Sequence, residues 1–236
     1  RGSRIYLATP RLRGLLAVNM AVSAAGAMAI VNTVVIVQGE FGLSQRATAL
    51  ALAAFGGGSM VAALALPRLL EAISDRAAML AGVILMILGL VAGATVSGYQ
   101  LLLLLWFVLG LGYSAAQTPS GRLLRRSSQP EDRPALFAAQ FALSHACWLV
   151  TYPLAGWLGA SVGPNATFLI LAVIAAAALV AAALLWPASD PEVVEHRHPG
   201  LSDDDPHWAE GARHGEGRHA HAFVVDNLHP QWPREP

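Results

Sequence analysis

The sequence predicts an all-α integral membrane protein, a six-transmembrane-helix bundle followed by a disordered C-terminal tail. Three observations predict it. Of 236 residues, 55% are hydrophobic and only 13% are charged, against about 25% charged in soluble domains. Six apolar runs are each long enough to cross about 30 Å of hydrocarbon, which takes roughly 20 helical residues. Arginines gather in every second connection along the chain. Strands are excluded for the spans, because isolated strands leave backbone polar groups unpaired in lipid.

The elements follow in order. Residues 1–13 form a basic juxtamembrane segment with Arg1, Arg4, Arg11 and Arg13. The apolar runs cover residues 14–38, 47–66, 77–96, 101–118, 135–160 and 166–186. Pro67 and Arg68 stop the second run, and Asp75 and Arg76 precede the third. The fourth connection carries Arg122, Arg125, Arg126 and Arg133, whereas the alternate connections carry only Arg46. Ten arginines against one is a strong positive-inside asymmetry and places both termini in the cytoplasm. Glycine and alanine recur within the runs, so the helices are expected to pack closely in one bundle.

Composition also limits function. All 15 basic residues are arginine, net charge is zero, and no basic stripe of the kind nucleic acid requires is present. Cys147 is the only cysteine, which rules out a disulfide within the chain. No nucleotide-binding motif is present, so the energy source is expected to lie outside ATP hydrolysis by this chain. No secretory leader opens the chain at Arg1, and it is expected to be a piece of a longer protein.

Several motifs resemble the carboxy-terminal half of a major facilitator superfamily transporter. The second connection, with Gly57 or Gly58 ahead of Arg68, Asp75 and Arg76, resembles the Gly…Asp-Arg…Arg motif between the second and third helices of each half. Gly110-Leu111-Gly112-Tyr113, with Gln117-Thr118-Pro119 ahead of the basic turn 122–133, adds to the likeness. Thr151 to Trp157, with Pro153 inside, looks like the kinked eleventh helix. The resemblance covers residues 5–186. It implies a proton-coupled permease, an efflux carrier rather than an enzyme. It further implies the cell membrane as its site, a missing amino-terminal six-helix partner, and a small-molecule or metal substrate.

Asp75 sits where a carboxylate meets the positive end of a helix dipole. With Arg68 and Arg76 it is expected to form a cytoplasmic latch between two packings of the bundle. Gly57, Gly58 and Pro153 interrupt corresponding helices of the two triplets, which makes them gating candidates.

Ionisable side chains at the centre of a membrane helix are costly, roughly 2.5–3.5 kcal/mol for Asp, Lys or Arg. His145, near mid-depth in the fifth run, is therefore a candidate for a coupling proton. Gln140 lies on the same helix. Asn19 and Asn32 in the first run and Gln117 in the fourth are the remaining pathway candidates; helix–helix glue is the competing role for each. A different function class, a rhomboid-like intramembrane protease, would use Gly112-Tyr113-Ser114-Ala115, but its serine needs a base within hydrogen-bond reach.

Residues 187–236 are acidic, with ten Asp or Glu against four Arg, and hold seven of the eight histidines. They lack apolar periodicity and are expected to be disordered. No cofactor is required by this reading. Imidazole suits nickel, cobalt and zinc, so His196, His198, His207, His214, His219 and His221 are candidate ligands, with Asp203-Asp204-Asp205 between them. A membrane protein that merely displays such a metal-binding tail is a further alternative.

Overall fold

The computed structural model of the chain describes residues 1–198, 201–202, 204–214 and 217–233, and for residues 213 and 214 the backbone alone. Its six long apolar helices span Pro10–Glu40, Gln45–Leu69, Asp75–Gly93, Tyr99–Arg126, Pro130–Ser161 and Gly163–Leu185. Length and composition let each cross a bilayer.

A short α1 (Gly2–Ala8) leads into α2 (Pro10–Val34), which ends in a π-helical turn, Val35–Glu40. Pro10 opens α2, where its missing N–H costs nothing. Then come α3 (Gln45–Leu69), α4 (Asp75–Gly93), α5 (Tyr99–Gln117) and a short α6 (Ser120–Arg126). The long α7 (Arg133–Ser161) and α8 (Gly163–Leu185) complete the bundle. Gly163 takes a φ of +82° in the tight turn between them, a conformation that favours glycine. The helix α3 runs past Pro67 to Leu69, so the proline sits inside its last turn rather than ending it.

The most buried helix is α2, which packs against α8, α7, α4, α5 and α3. Glycines set the spacing of two further crossings. A Cβ on Gly58 would fall on the carbonyl oxygen of Phe107, and one on Gly110 would fall on that of Phe55, so α3 and α5 touch backbone to backbone. Gly82 of α4 and Gly112 of α5 face each other's carbonyls in the same reciprocal way. Between helices already in lipid, this close approach gains van der Waals contact that larger side chains would prevent. The helices α3 and α7 bury the least of their surface within the chain.

The tail departs from the expectation of disorder. Strands β1 (Val193–Arg197), β2 (Ala212–His214) and β3 (Arg218–Ala222) form an antiparallel sheet in the order β1-β3-β2. The reason is an alternation that apolar counting does not register. In Arg218-His219-Ala220-His221-Ala222 it is the histidines that turn inward, with His219 fully buried and His221 nearly so. Phe223 and Val225 then join the main hydrophobic core of the bundle, with Trp232 and Val194 packed against it. The tail is thereby docked on the bundle.

Candidate functional site

The pathway candidates fall into two groups. Asn19 and Gln117 meet, the Gln117 amide donating to Asn19 Oδ1 at 3.2 Å across α2 and α5. Asn32, fully buried, donates to the Ala155 carbonyl of α7 at 3.1 Å, and its Oδ1 rests against Gly159, where a Cβ would collide with it. Gln140 accepts from the Tyr6 hydroxyl at 2.5 Å and so ties α1 to α7. These contacts are helix–helix bonds.

His145 stands apart. It is exposed on α7, stacked on Phe141 with ring centroids 3.8 Å apart, and its Nδ1 lies 2.8 Å from the Phe141 carbonyl. Beside it a depression of about 550 Å³ is lined by Ala142, Ala146, Trp148, Leu149, Tyr152 and Pro153. Pro153 therefore belongs to the same face, inside a helix that continues to Ser161. Ser114 shares its hydroxyl hydrogen bond with Thr118 at 3.2 Å, and no bond joins it to His145 among the described residues. The protease reading thus lacks a nucleophile–base pair.

The arginine-rich end of the bundle carries a layered ionic network. Ser74 caps α4 by accepting from the Ala77 N–H at 3.1 Å, which frees Asp75 for another partner. That partner is Arg122 of α6: its Nε donates to Asp75 Oδ1 at 2.9 Å and Oδ2 at 3.1 Å, and its Nη2 bonds Oδ1 as well. The expected trio of Asp75, Arg68 and Arg76 is therefore not the arrangement found. Arg76 turns to the end of α8, donating to the Trp186 carbonyl at 2.9 Å and the Ala183 carbonyl at 3.3 Å, where a cation suits the helix dipole. Arg68 is exposed and makes no ion pair among the described residues. The reason is geometric. Arg68 lies on the last turn of α3, whereas α6, packed on α2 and α7, extends the Arg122 side chain to the start of α4.

A second clasp joins the tail to the bundle. Asp190 lies between Arg11 of α2, whose Nε is 3.2 Å from Oδ1, and Arg126 of α6, which bonds Oδ2. Arg11 is almost wholly buried, also reaches the Pro191 carbonyl at 3.3 Å, and lies 4.9 Å from the Trp232 ring centre. Asp190 holds a φ of +30°, unusual for a residue other than glycine, so the clasp stores some backbone strain. Gly57 has open space beside it apart from Phe107 at 3.9 Å, so of the two glycine candidates only Gly58 sits in a tight contact.

A sequence model of the Major Facilitator Superfamily matches residues 16–216, from the first spanning helix into the tail. The chain belongs to the major facilitator superfamily. No curated protein shows significant similarity to it. As a member of the superfamily it is a multi-pass membrane transporter protein.

In this superfamily chain six of the tail histidines lie together. His196 and His198 come from β1 and the residue after it, His207 from the turn Pro206–Glu210, His219 and His221 from β3, and His229 from the segment beyond. One ring nitrogen from each of His196, His207, His219, His221 and His229 lies within 4.8 Å of all the others. Burial, with neighbouring imidazoles second, lowers His219 to about 4. Burial also takes His196 to about 4, against a hydrogen bond from its Nδ1 to the Val194 carbonyl that pulls the other way. His198 and His207 shift down for the same leading reason. The expected ligand His214 has its side chain outside the described residues, as does Asp203, and Asp205 instead caps the His207 N–H at 2.9 Å. Three important residues carried no decisive sequence signal: Arg122 reads as one of four similar arginines, Asp190 as a linker acid, and His229 lies apart from the paired histidines.

Proposed function

We propose that the chain is the carboxy-terminal six-helix half of a proton-coupled efflux transporter, which works by alternating access against a second six-helix bundle. The observation that carries the coupling is His145. An ionisable ring near mid-depth, exposed on the face that also holds Trp148, Tyr152 and Pro153, suits a water-lined or partner-facing surface far better than lipid. Histidine titrates near neutrality and so can carry a proton through each cycle. The arginine asymmetry supports a cytoplasmic location for both termini, and with it for the ionic network. On this reading Asp75 and Arg122 form the latch, and Arg76 fixes the end of α8 while the bundle rocks.

The full-length protein, reconstituted in vesicles loaded with a pH-sensitive dye, tests this. Addition of ethidium, tetraphenylphosphonium or nickel should move protons, and an imposed pH gradient should drive uphill movement of the same compound. His145→Gln should abolish uphill movement while leaving downhill exchange. Uphill transport at the wild-type rate in that variant would remove His145 from the coupling path.

A further inference from the structure

Six of the seven tail histidines turn ring nitrogens toward one another, and their protons are not placed to bond them all. Nε2 of His196 lies 3.0 Å from that of His198, 3.1 Å from that of His219 and 3.0 Å from that of His229. Nε2 of His198 lies 3.0 Å from that of His207 and 3.2 Å from that of His229. A neutral imidazole has one N–H and one lone pair. At four of the rings the outer nitrogen Nδ1 faces an oxygen acceptor. His196 faces the Val194 carbonyl at 3.0 Å and His221 the Ala222 carbonyl at 2.9 Å. His229 faces Asp226 Oδ1 at 3.0 Å, and His207 faces Glu210 Oε2 at 3.2 Å. Each therefore keeps its proton on Nδ1 and turns a bare lone pair inward. Nε2 of His221 is buried with no hydrogen-bond partner among the described residues. Lone pairs converging at such distances repel unless a positive centre lies among them.

We propose that the tail is a binding site for one divalent first-row transition-metal ion, held in six-fold coordination by the imidazoles of His196, His198, His207, His219, His221 and His229. The shortest spacings favour six ligands over four. Six nitrogens about 2.1 Å from a central ion stand about 3.0 Å apart along the edges of an octahedron, whereas four tetrahedral nitrogens at that distance stand about 3.4 Å apart. Five of the Nε2 pairs stand 3.0–3.2 Å apart, close to an octahedral edge, and the nitrogens of His196, His207, His219, His221 and His229 spread over at most 4.8 Å, so that the outer ones close in on a bound ion. All-nitrogen octahedral coordination favours Ni²⁺ and Co²⁺ over Zn²⁺, which prefers four ligands.

The surroundings are those of a resident ion. Outer-nitrogen bonds to carbonyls and carboxylates orient ligating histidines and raise their basicity. Asp226 and Glu210 also supply negative charge that six neutral ligands lack. A groove of about 1350 Å³ between the tail and the ends of α2 and α8 is lined by His196, His198 and His229, which provides a way in.

The test uses the untagged full-length protein in lipid nanodiscs, stripped of metal and titrated with Co²⁺. The expected result is one cobalt per chain with the weak d–d absorption of a six-coordinate ion, displaced stoichiometrically by Ni²⁺. His196→Ala and His229→Ala should each lose at least about tenfold in affinity. Asp226→Asn should lose roughly 10- to 100-fold through the outer shell yet regain the wild-type spectrum at high cobalt, as a misfolded tail would not. Absence of cobalt after gel filtration overturns the site. The intense absorption of a tetrahedral ion, or unchanged affinity in His229→Ala, overturns the assigned coordination.

Discussion

Asp75 is only 7% exposed, and the side chain that holds it, Arg122, lies 47 residues away at the start of α6. The pair joins the first turn of α4 to the short helix behind α5, so it spans two elements that no local contact would connect. A bidentate, charge-assisted geometry gives it direction as well as strength.

Loss of that pair should be measurable against a built-in control. Hydrogen bonds to charged groups contribute about 1.5–3 kcal/mol, and half-exposure of Arg122 reduces this to about 1–2 kcal/mol. Asp75→Asn and Arg122→Ala should therefore lower thermal stability in detergent by similar amounts, and the double variant by scarcely more than either. Arg68→Ala should stay within about 0.5 kcal/mol of wild type. A larger effect at Arg68 than at Arg122 would falsify the assignment of partners.

Asp190 should matter more to the tail than to the spanning helices. Its replacement by Ala leaves the guanidinium of Arg11, 1% exposed, without its carboxylate, and breaking a buried pair from one side costs about 3–5 kcal/mol. The expected readout is faster amide exchange across 193–232, with α3 to α5 unchanged. Asp190→Asn keeps a residue tolerant of positive φ and should be milder than Ala but still weaker than wild type.

The glycine run makes a sharper distinction than its sequence does. Gly58→Ala should force α3 and α5 apart, because the new methyl group meets the Phe107 backbone, and should destabilise the protein by roughly 1–3 kcal/mol. Gly56→Ala faces open space and should stabilise the helix slightly. Thermal unfolding in matched nanodiscs compares the two. Equal effects would show that the α3–α5 crossing is looser than described.

Metal removal should loosen the tail. If one ion joins β1, β3 and the segment at His229, chelation should speed tryptic cleavage after the exposed Arg197 and Arg218, and Co²⁺ should restore protection. Cleavage after arginines on the bundle serves as the internal reference. Rates independent of metal would show that the sheet stands without it.

What could be read from the chain alone was whatever depends on short stretches. Six apolar runs give the spans because a lipid core selects on length and hydropathy, residue by residue. Arginine bias was equally legible, since it is a property of connections counted one at a time. Partner choice was not. Arg68 and Arg76 are closer to Asp75 in sequence, yet the return of α6 brings Arg122 to the carboxylate and sends Arg76 to the end of α8. The tail shows the same division. Composition revealed the histidines and the metals they suit, but called the segment disordered, because histidine does not register as a buried residue. Only the pairing of β1 with β3, and their docking through Phe223 and Val225, gathers five scattered imidazoles, those of His196, His207, His219, His221 and His229, into one cluster. Local chemistry decides which solvent a segment prefers; which side chains meet is decided by packing between segments far apart in the chain.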